Sequence, residues 1–242
     1  MAITDNKNRI GNFTSSEIWK IMRISAKGEF LAPALTYIQE KKFERKIKRS
    51  LDVEAESKPM KWGKFLESRV HDLLPLSYQH VFDETLMHEI IDCWSGSPDE
   101  ISISESIVAD VKCLQPKKFC EVVDDLTEAV AKNDVSIFKN NHPDKYWQLV
   151  SNAIITGMKN IELIVYMPYE SELEYIRDSV ADYDGPDQWK YRFIAESDKS
   201  ELAYLPNDSE YKNLNRFKFE LNQDDAKLLT QTVLRAKTEL LK

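Results

Sequence analysis

The sequence predicts a mixed α/β fold, a central β-sheet with helices packed against it, and three observations carry that reading. "PMKWGKFLESRVHDLL" sets Trp62, Phe65, Leu66, Val70, Leu73 and Leu74 at helical spacing. "ISISESIVADVKCL" is rich in β-branched residues, as a strand should be. "IELIVYMP" is short and almost wholly apolar, the pattern of a strand buried on both faces.

Taken in order, "TSSEIWKIM" opens on Thr14 with Glu17 three residues on, a capping-box spacing that predicts a helix start. The amphipathic helix follows, with Glu67 near the edge of its apolar stripe. "MHEIIDCW" and "ISISESIVADVKCL" read as adjacent strands joined by a Gly-Ser-Pro-Asp turn. "HPDKYWQLVSNAIITG" repeats apolar groups at Tyr146, Leu149, Val150, Ala153 and Ile154; Pro143 suits its first turn and Gly157 its stop. The apolar strand ends at Pro168. Beyond it, "WKYRFIAE" and "RFKFEL" read as strands, and "NQDDAKLLTQTVLRAKTELLK" as a closing helix capped near Asn222. No internal repeat or Pro/Gly/Ser linker divides the 242 residues, so one domain over 1–242 is expected.

Cys93, Cys113 and Cys120 are odd in number, lack CxxC spacing and follow no secretory signal, which fits a reducing cytoplasm. No apolar run approaches the roughly 18 residues of a membrane span. The net charge of −8 is unevenly spread. Residues 1–50 carry 11 Lys/Arg against 5 Asp/Glu, whereas residues 171–210 carry 4 against 11. Six of the basic residues fall in "KKFERKIKR": Lys41, Lys42, Arg45, Lys46, Lys48 and Arg49 form either a solvated helix face or a contact to DNA phosphates. His71, His80, His88 and His142 show no metal spacing, and no Walker A or GxGxxG motif occurs. Three scattered cysteines cannot supply an iron–sulfur cluster.

The chemistry concentrates in "GSPDEISISESIVADVKCLQP". Alternation along "IVADVKC" puts Val108, Asp110 and Lys112 on one face. If "ISIS" is the neighbouring strand, Asp99 in the turn lies near the same edge, so two carboxylates meet beside an ammonium. Paired carboxylates repel unless a proton or a divalent cation lies between them, and an all-oxygen site suits Mg²⁺ or Mn²⁺. Such a site can hydrolyse a phosphodiester.

Pro98-Asp99 followed by Asp110-Val111-Lys112 matches the PD-(D/E)xK nuclease pattern. Four blocks in order make the resemblance broader: "RIGNFTSSEI", "WGKFLESRV", "GSPDEI" with "ADVKC", and "YWQLVSNAIITGMKN". Over about residues 9–168 the chain resembles the lambda-exonuclease-like family of viral alkaline exonucleases, and the likeness is weak over 169–242. The resemblance implies a restriction-endonuclease-like core, a central mixed sheet flanked by helices. It further implies that Asp99, Asp110, the Val111 carbonyl and Glu67 hold Mg²⁺, two ions in all, with Mn²⁺ able to substitute. Lys112 would orient or activate the attacking water, with Gln148 and Tyr146 positioning it. Arg9, Ser16 and Ser97 would hold a 5′-phosphate, although Thr14, Ser15 and Ser16 equally suit a helix cap. Met60 aligns with a wedge that parts the strands, and Lys41, Lys42, Arg45, Lys46 and Arg49 would line a DNA channel.

The implied activity is 5′ to 3′ digestion of linear duplex DNA, giving 3′ single-stranded tails for recombination. The implied partners are duplex DNA ends, further copies of the chain in a ring, commonly a trimer, and a single-strand annealing protein of the same phage or prophage. No membrane is involved. An endonuclease or junction resolvase with the same metal core, and a non-catalytic DNA-end-binding protein, are the alternatives. The chain departs from the family pattern twice, with Asp110 in place of glutamate and Glu100 in place of the glycine after Ser-Pro-Asp.

Overall fold

A computed structural model describes residues 7–51, 56–81, 84–181 and 188–242. A two-residue strand β1 (Phe13–Thr14) and a 3-10 segment (Ser15–Lys20) precede helices α1 (Ala32–Ile47) and α2 (Lys58–Val70). Short strands β2 (Gln79–His80), β3 (Leu86–Met87), β4 (Trp94–Gly96) and β5 (Glu100–Ser102) lead to the longer β6 (Ile107–Lys112). Helices α3 (Pro116–Lys132), α4 (Val135–Asn141) and α5 (Pro143–Thr156) carry the chain to β7 (Asn160–Tyr166). Helices α6 (Leu173–Ala181) and α7 (Gln188–Glu196), strand β8 (Leu214–Glu220) and helix α8 (Gln223–Leu240) follow.

The strands form two mixed sheets, ordered β2-β5-β6-β7-β8 and β1-β4-β3. In the larger sheet β6 and β7 run parallel, with Asp110 opposite Leu163 and Lys112 opposite Val165. Parallel neighbours need a long crossover, and α3 to α5 supply it. Both central strands are covered on both faces, which is why β7 is apolar nearly throughout. The stretch 116–132, to which the sequence reading gives no element, is an amphipathic helix burying Phe119, Val122, Val123, Leu126 and Ala129. Pro143 and Gly157 bound α5 as expected, Gly157 at φ 70°, where a side chain would be strained. Asn222 caps α8 by accepting from the amides of Asp224 and Asp225.

Three expectations are corrected. "WKYRFIAE" is helical, not a strand: its aromatic content suggested a sheet, but it lies as α7 over α2, with Tyr191 and Phe65 ring centroids 5.2 Å apart. "MHEIIDCW" is not one strand but the connection from β3 to β4, and the Gly-Ser-Pro-Asp segment then carries the chain from β4 in the small sheet to β5 in the large one. The capping box at Thr14 does not form; the segment after it is a 3-10 turn, and Thr14 makes no side-chain cap.

Two close approaches bring these layers together. Ser151 of α5 lies 2.7 Å from Ser15 and accepts from the indole N–H of Trp94 at 2.8 Å, which joins the small sheet to the helix packed on β6 and β7. Helix α2 crosses the end of β6 at Gly63, where an added Cβ would stand 2.9 Å from the carbonyl oxygen of Cys113. The neighbouring Trp62 is anchored by its indole N–H on the carbonyl of Ala203 at 3.1 Å. Gly63→Ala should therefore push α2 off the strand and lower stability by about 1–3 kcal/mol, the usual range for overpacking. Urea denaturation would show this as a lower midpoint; an unchanged midpoint would mean that the contact is slack.

Candidate active site

Alternation along β6 brings Asp110 and Lys112 to one face, and the structure pairs them at 2.6 Å. Asp110 is fully buried. One of its oxygens accepts from Gln148 Nε2 at 2.5 Å, so the side chain on α5 that faces away from the apolar stripe has a partner on β6. The other, Oδ2, meets the Lys112 ammonium as an ion pair. Asp99, just before β5, accepts the Val111 amide on Oδ2 at 2.7 Å. Since both backbone groups of a strand residue point the same way, the Val111 carbonyl faces the same edge, beyond the last β5 pairing at Ala109. Glu67, one turn along α2 from Gly63, completes the group and feels the charges of both Lys112 and Asp110.

These charges perturb one another strongly. Burial, followed by the Asp110 charge, raises the Asp99 carboxyl well above the ordinary value, while Lys112 and the Val111 amide pull it back. Burial also raises Glu67, against the opposing pull of Lys112. For Lys112 burial disfavours the charge, but Asp110, Asp99 and Glu67 outweigh it and hold the amine protonated. The Cys113 thiol is pushed up by burial and then by Glu67, so it is not a thiolate nucleophile. Three carboxyl groups around one ammonium, two of them with raised pKa, supply oxygen donors that fit a hard divalent cation.

A cavity of about 750 Å³ opens beside the cluster, and Arg9, Ser16, Glu67, Ser97, Asp99 and Gln148 line it. The residues expected to bind phosphate and two of those expected to bind metal, Asp99 and Glu67, thus face one space. Ser16 and Arg9 are exposed, and Ser97 is paired with Thr85 at 2.9 Å. Ser15 is structural, turned inward to Ser151. Met60 is 52% exposed in the first turn of α2.

Several expected site residues lie elsewhere. Tyr146 is fully buried, and its hydroxyl donates to Asp225 on α8 at 2.6 Å, so it supports the core instead of the cluster. Lys41 is buried against Glu44 and over the Tyr37 ring. Arg45 binds the Gly11 carbonyl and the Asn12 side chain, holding the loop that carries Arg9. Within the basic run, Lys46, Lys48 and Arg49 are exposed and Lys42 half-buried.

Sequence reasoning missed two features. Gly63 carries a packing demand visible only once α2 lies on β6. The histidines, which lack motif spacing, do converge: among the described residues, ligand atoms of His71, His80 and Glu100 all lie within 4.8 Å of one another. The signal was the unexpected glutamate after Asp99.

No family model matches the chain, and no curated protein does so at a significant level. Solved structures do. The alkaline exonuclease LHK-Exo from Laribacter hongkongensis is similar with a TM-score of 0.61 and 14% identity over 97% of this chain and 90% of that one. Its complex with dAMP is similar with a TM-score of 0.61 and 15% identity, covering 98% and 91%. A phage-related exonuclease from Haemophilus somnus 129PT gives a TM-score of 0.59 and 13% identity, covering 95% and 93%. The chain therefore has the mixed α/β fold of these exonuclease structures along nearly its whole length.

A carboxyl with a raised pKa keeps its proton in the folded chain at a pH where the unfolded chain has lost it. Without metal, stability should therefore fall as pH rises from the ordinary aspartate value of about 3.9 through the folded value of Asp99. Asp99→Asn removes that penalty, so its urea midpoint should exceed that of the wild type at pH 8 and approach it near pH 4. A gap independent of pH would show that Asp99 carries no such strain.

Proposed function

We propose that the chain is a Mg²⁺-dependent exonuclease that digests linear duplex DNA from the 5′ end and leaves a 3′ single-stranded tail. The observation that carries this reading is the ammonium of Lys112 among three carboxylates beside a cavity that Arg9, Ser16 and Ser97 also line. The fold shared with exonuclease structures supports it.

In this reading Asp99, Asp110, the Val111 carbonyl and Glu67 hold one or two Mg²⁺ ions, and Mn²⁺ substitutes. The bound cation supplies Lewis-acid polarisation of the phosphoryl group and acidifies water. Lys112, beside Asp110 at 2.6 Å, orients or activates the attacking water. Gln148 holds the Asp110 carboxylate in place from α5. Glu67, its pKa raised by burial, is placed to accept a proton beside the cluster. Water attacks phosphorus, the bond from phosphorus to the 3′-oxygen breaks, and that oxygen leaves with a proton from solvent. The remaining strand again ends in a 5′-phosphate, which Arg9 can bind through its guanidinium fork.

A ring of several copies, commonly three, would let this acidic chain enclose DNA. Lys42, Lys46 and Arg49 remain candidates for its lining, whereas Lys41 and Arg45 are engaged within the fold. The reading places the enzyme in a bacterial cytoplasm, phage or prophage encoded, beside a single-strand annealing protein. Among the described residues no helix is long and apolar enough to cross a membrane.

The test is digestion of a 5′-phosphorylated linear duplex beside a covalently closed circle, with and without Mg²⁺. Loss of the linear DNA alone is expected, with Lys112→Ala slower by about 10²–10³ or more. Cutting of the circle would instead indicate an endonuclease or resolvase. Metal-independent binding without hydrolysis would indicate an end-binding protein.

A further inference from the structure

Glu100 is 1% exposed, and a buried carboxylate needs compensation. It sits between two imidazoles. His80 is its cross-strand partner in the β2–β5 pairing, with Nδ1 2.8 Å from Oε1. His71, just past the end of α2, places Nδ1 2.9 Å from Oε2 and 3.1 Å from Oε1. The two rings are tilted, with centroids 5.6 Å apart, so the nitrogens converge on the carboxylate while the rings diverge.

Two imidazoles and a carboxylate form a donor set unlike the oxygen cluster beside it. Nitrogen donors favour Zn²⁺ and related first-row ions, whereas Mg²⁺ prefers oxygen. For a tetrahedral ion with bonds of about 2.0–2.1 Å, neighbouring donors stand about 3.3 Å apart. The two nitrogen–oxygen separations of 2.8 and 2.9 Å need to open by only a few tenths of an ångström, and all three donors lie within 4.8 Å of one another. Three protein donors leave a fourth position free, and His71 and His80 both line the cavity that Asp99 and Glu67 also line.

We propose that His71, His80 and Glu100 form a second cation site, selective for a Zn²⁺-type ion and separate from the Mg²⁺ position. Its place in the chain gives it a mechanical role. Glu100 follows Asp99 directly, and His71 lies one helical turn beyond Glu67, so an ion here clamps α2, β2 and β5 at the points that carry two of the candidate site carboxylates. The open coordination position would take water or a phosphate oxygen from the cavity. The proposal does not depend on the hydrolytic reading.

Co²⁺ is a suitable probe because its visible absorption reports coordination. Titration in excess Mg²⁺ should show about one equivalent bound by the wild type and by Asp110→Asn, displaced by Zn²⁺. His71→Gln and His80→Gln should each lower the affinity at least about tenfold. Zn²⁺ should also raise the Tm of the wild type but of neither histidine variant. The side chain of His71 is 37% exposed, so His71→Gln keeps the test valid if the other variant folds poorly, as circular dichroism would reveal. Equal Co²⁺ binding by wild type and both histidine variants would overturn the site. Binding lost with Asp110→Asn, or no binding at all, would do the same and leave Glu100 as the acceptor of two imidazole hydrogen bonds.

Discussion

The ammonium of Lys112 is the counter-charge that makes this arrangement of carboxylates tolerable. Asp110 is fully buried, and an uncompensated charge there would cost several kcal/mol. The surrounding architecture serves that neutralisation. Gly63 lets α2 approach the strand end closely enough for Glu67 to feel Lys112. The Val111 amide fixes Asp99, and Gln148 reaches across from α5 to hold Asp110.

A second buried carboxylate in the same sheet shows what makes the first unusual. Glu162 on β7 is 2% exposed, but Arg216 binds it at 2.9 Å and Tyr78 donates to it, with Arg216 and Tyr78 also 2.6 Å apart. Glu162 is thereby satisfied by the fold itself and ties β7 to β8. Asp110 is compensated by an ammonium shared with two further carboxyl groups, and Asp99 keeps a raised pKa. Residual polarity of this kind is costly in a purely structural group and useful in a catalytic one.

Much of this was legible in the sequence because it depends on local periodicity. The two-residue period puts Asp110 and Lys112 on one face, and the pattern of α5 leaves Gln148 off its apolar stripe, so both could be read without coordinates. Helix α7 was not legible, since its aromatic residues resemble those of a strand and packing on α2 decides the outcome. Tyr146, Lys41 and Arg45 misled for a related reason: residue type suggested chemistry, while contacts with Asp225, Glu44 and the Gly11 loop assigned structural work. The histidine group was hidden because its members meet only through β2–β5 pairing and the end of α2.

The hydroxyl of Ser151 has one more consequence. It serves the Ser15 hydroxyl, 136 positions away, and the Trp94 indole, 57 positions away, inside a region closed to water. Loss of the Ser151 hydroxyl strands the Trp94 indole N–H, whereas the Ser15 hydroxyl keeps the Ser95 carbonyl at 3.3 Å. The joint thus ties residues far apart in the chain into one buried contact, and replacing Ser151 alone would remove the side-chain partner of the Trp94 indole.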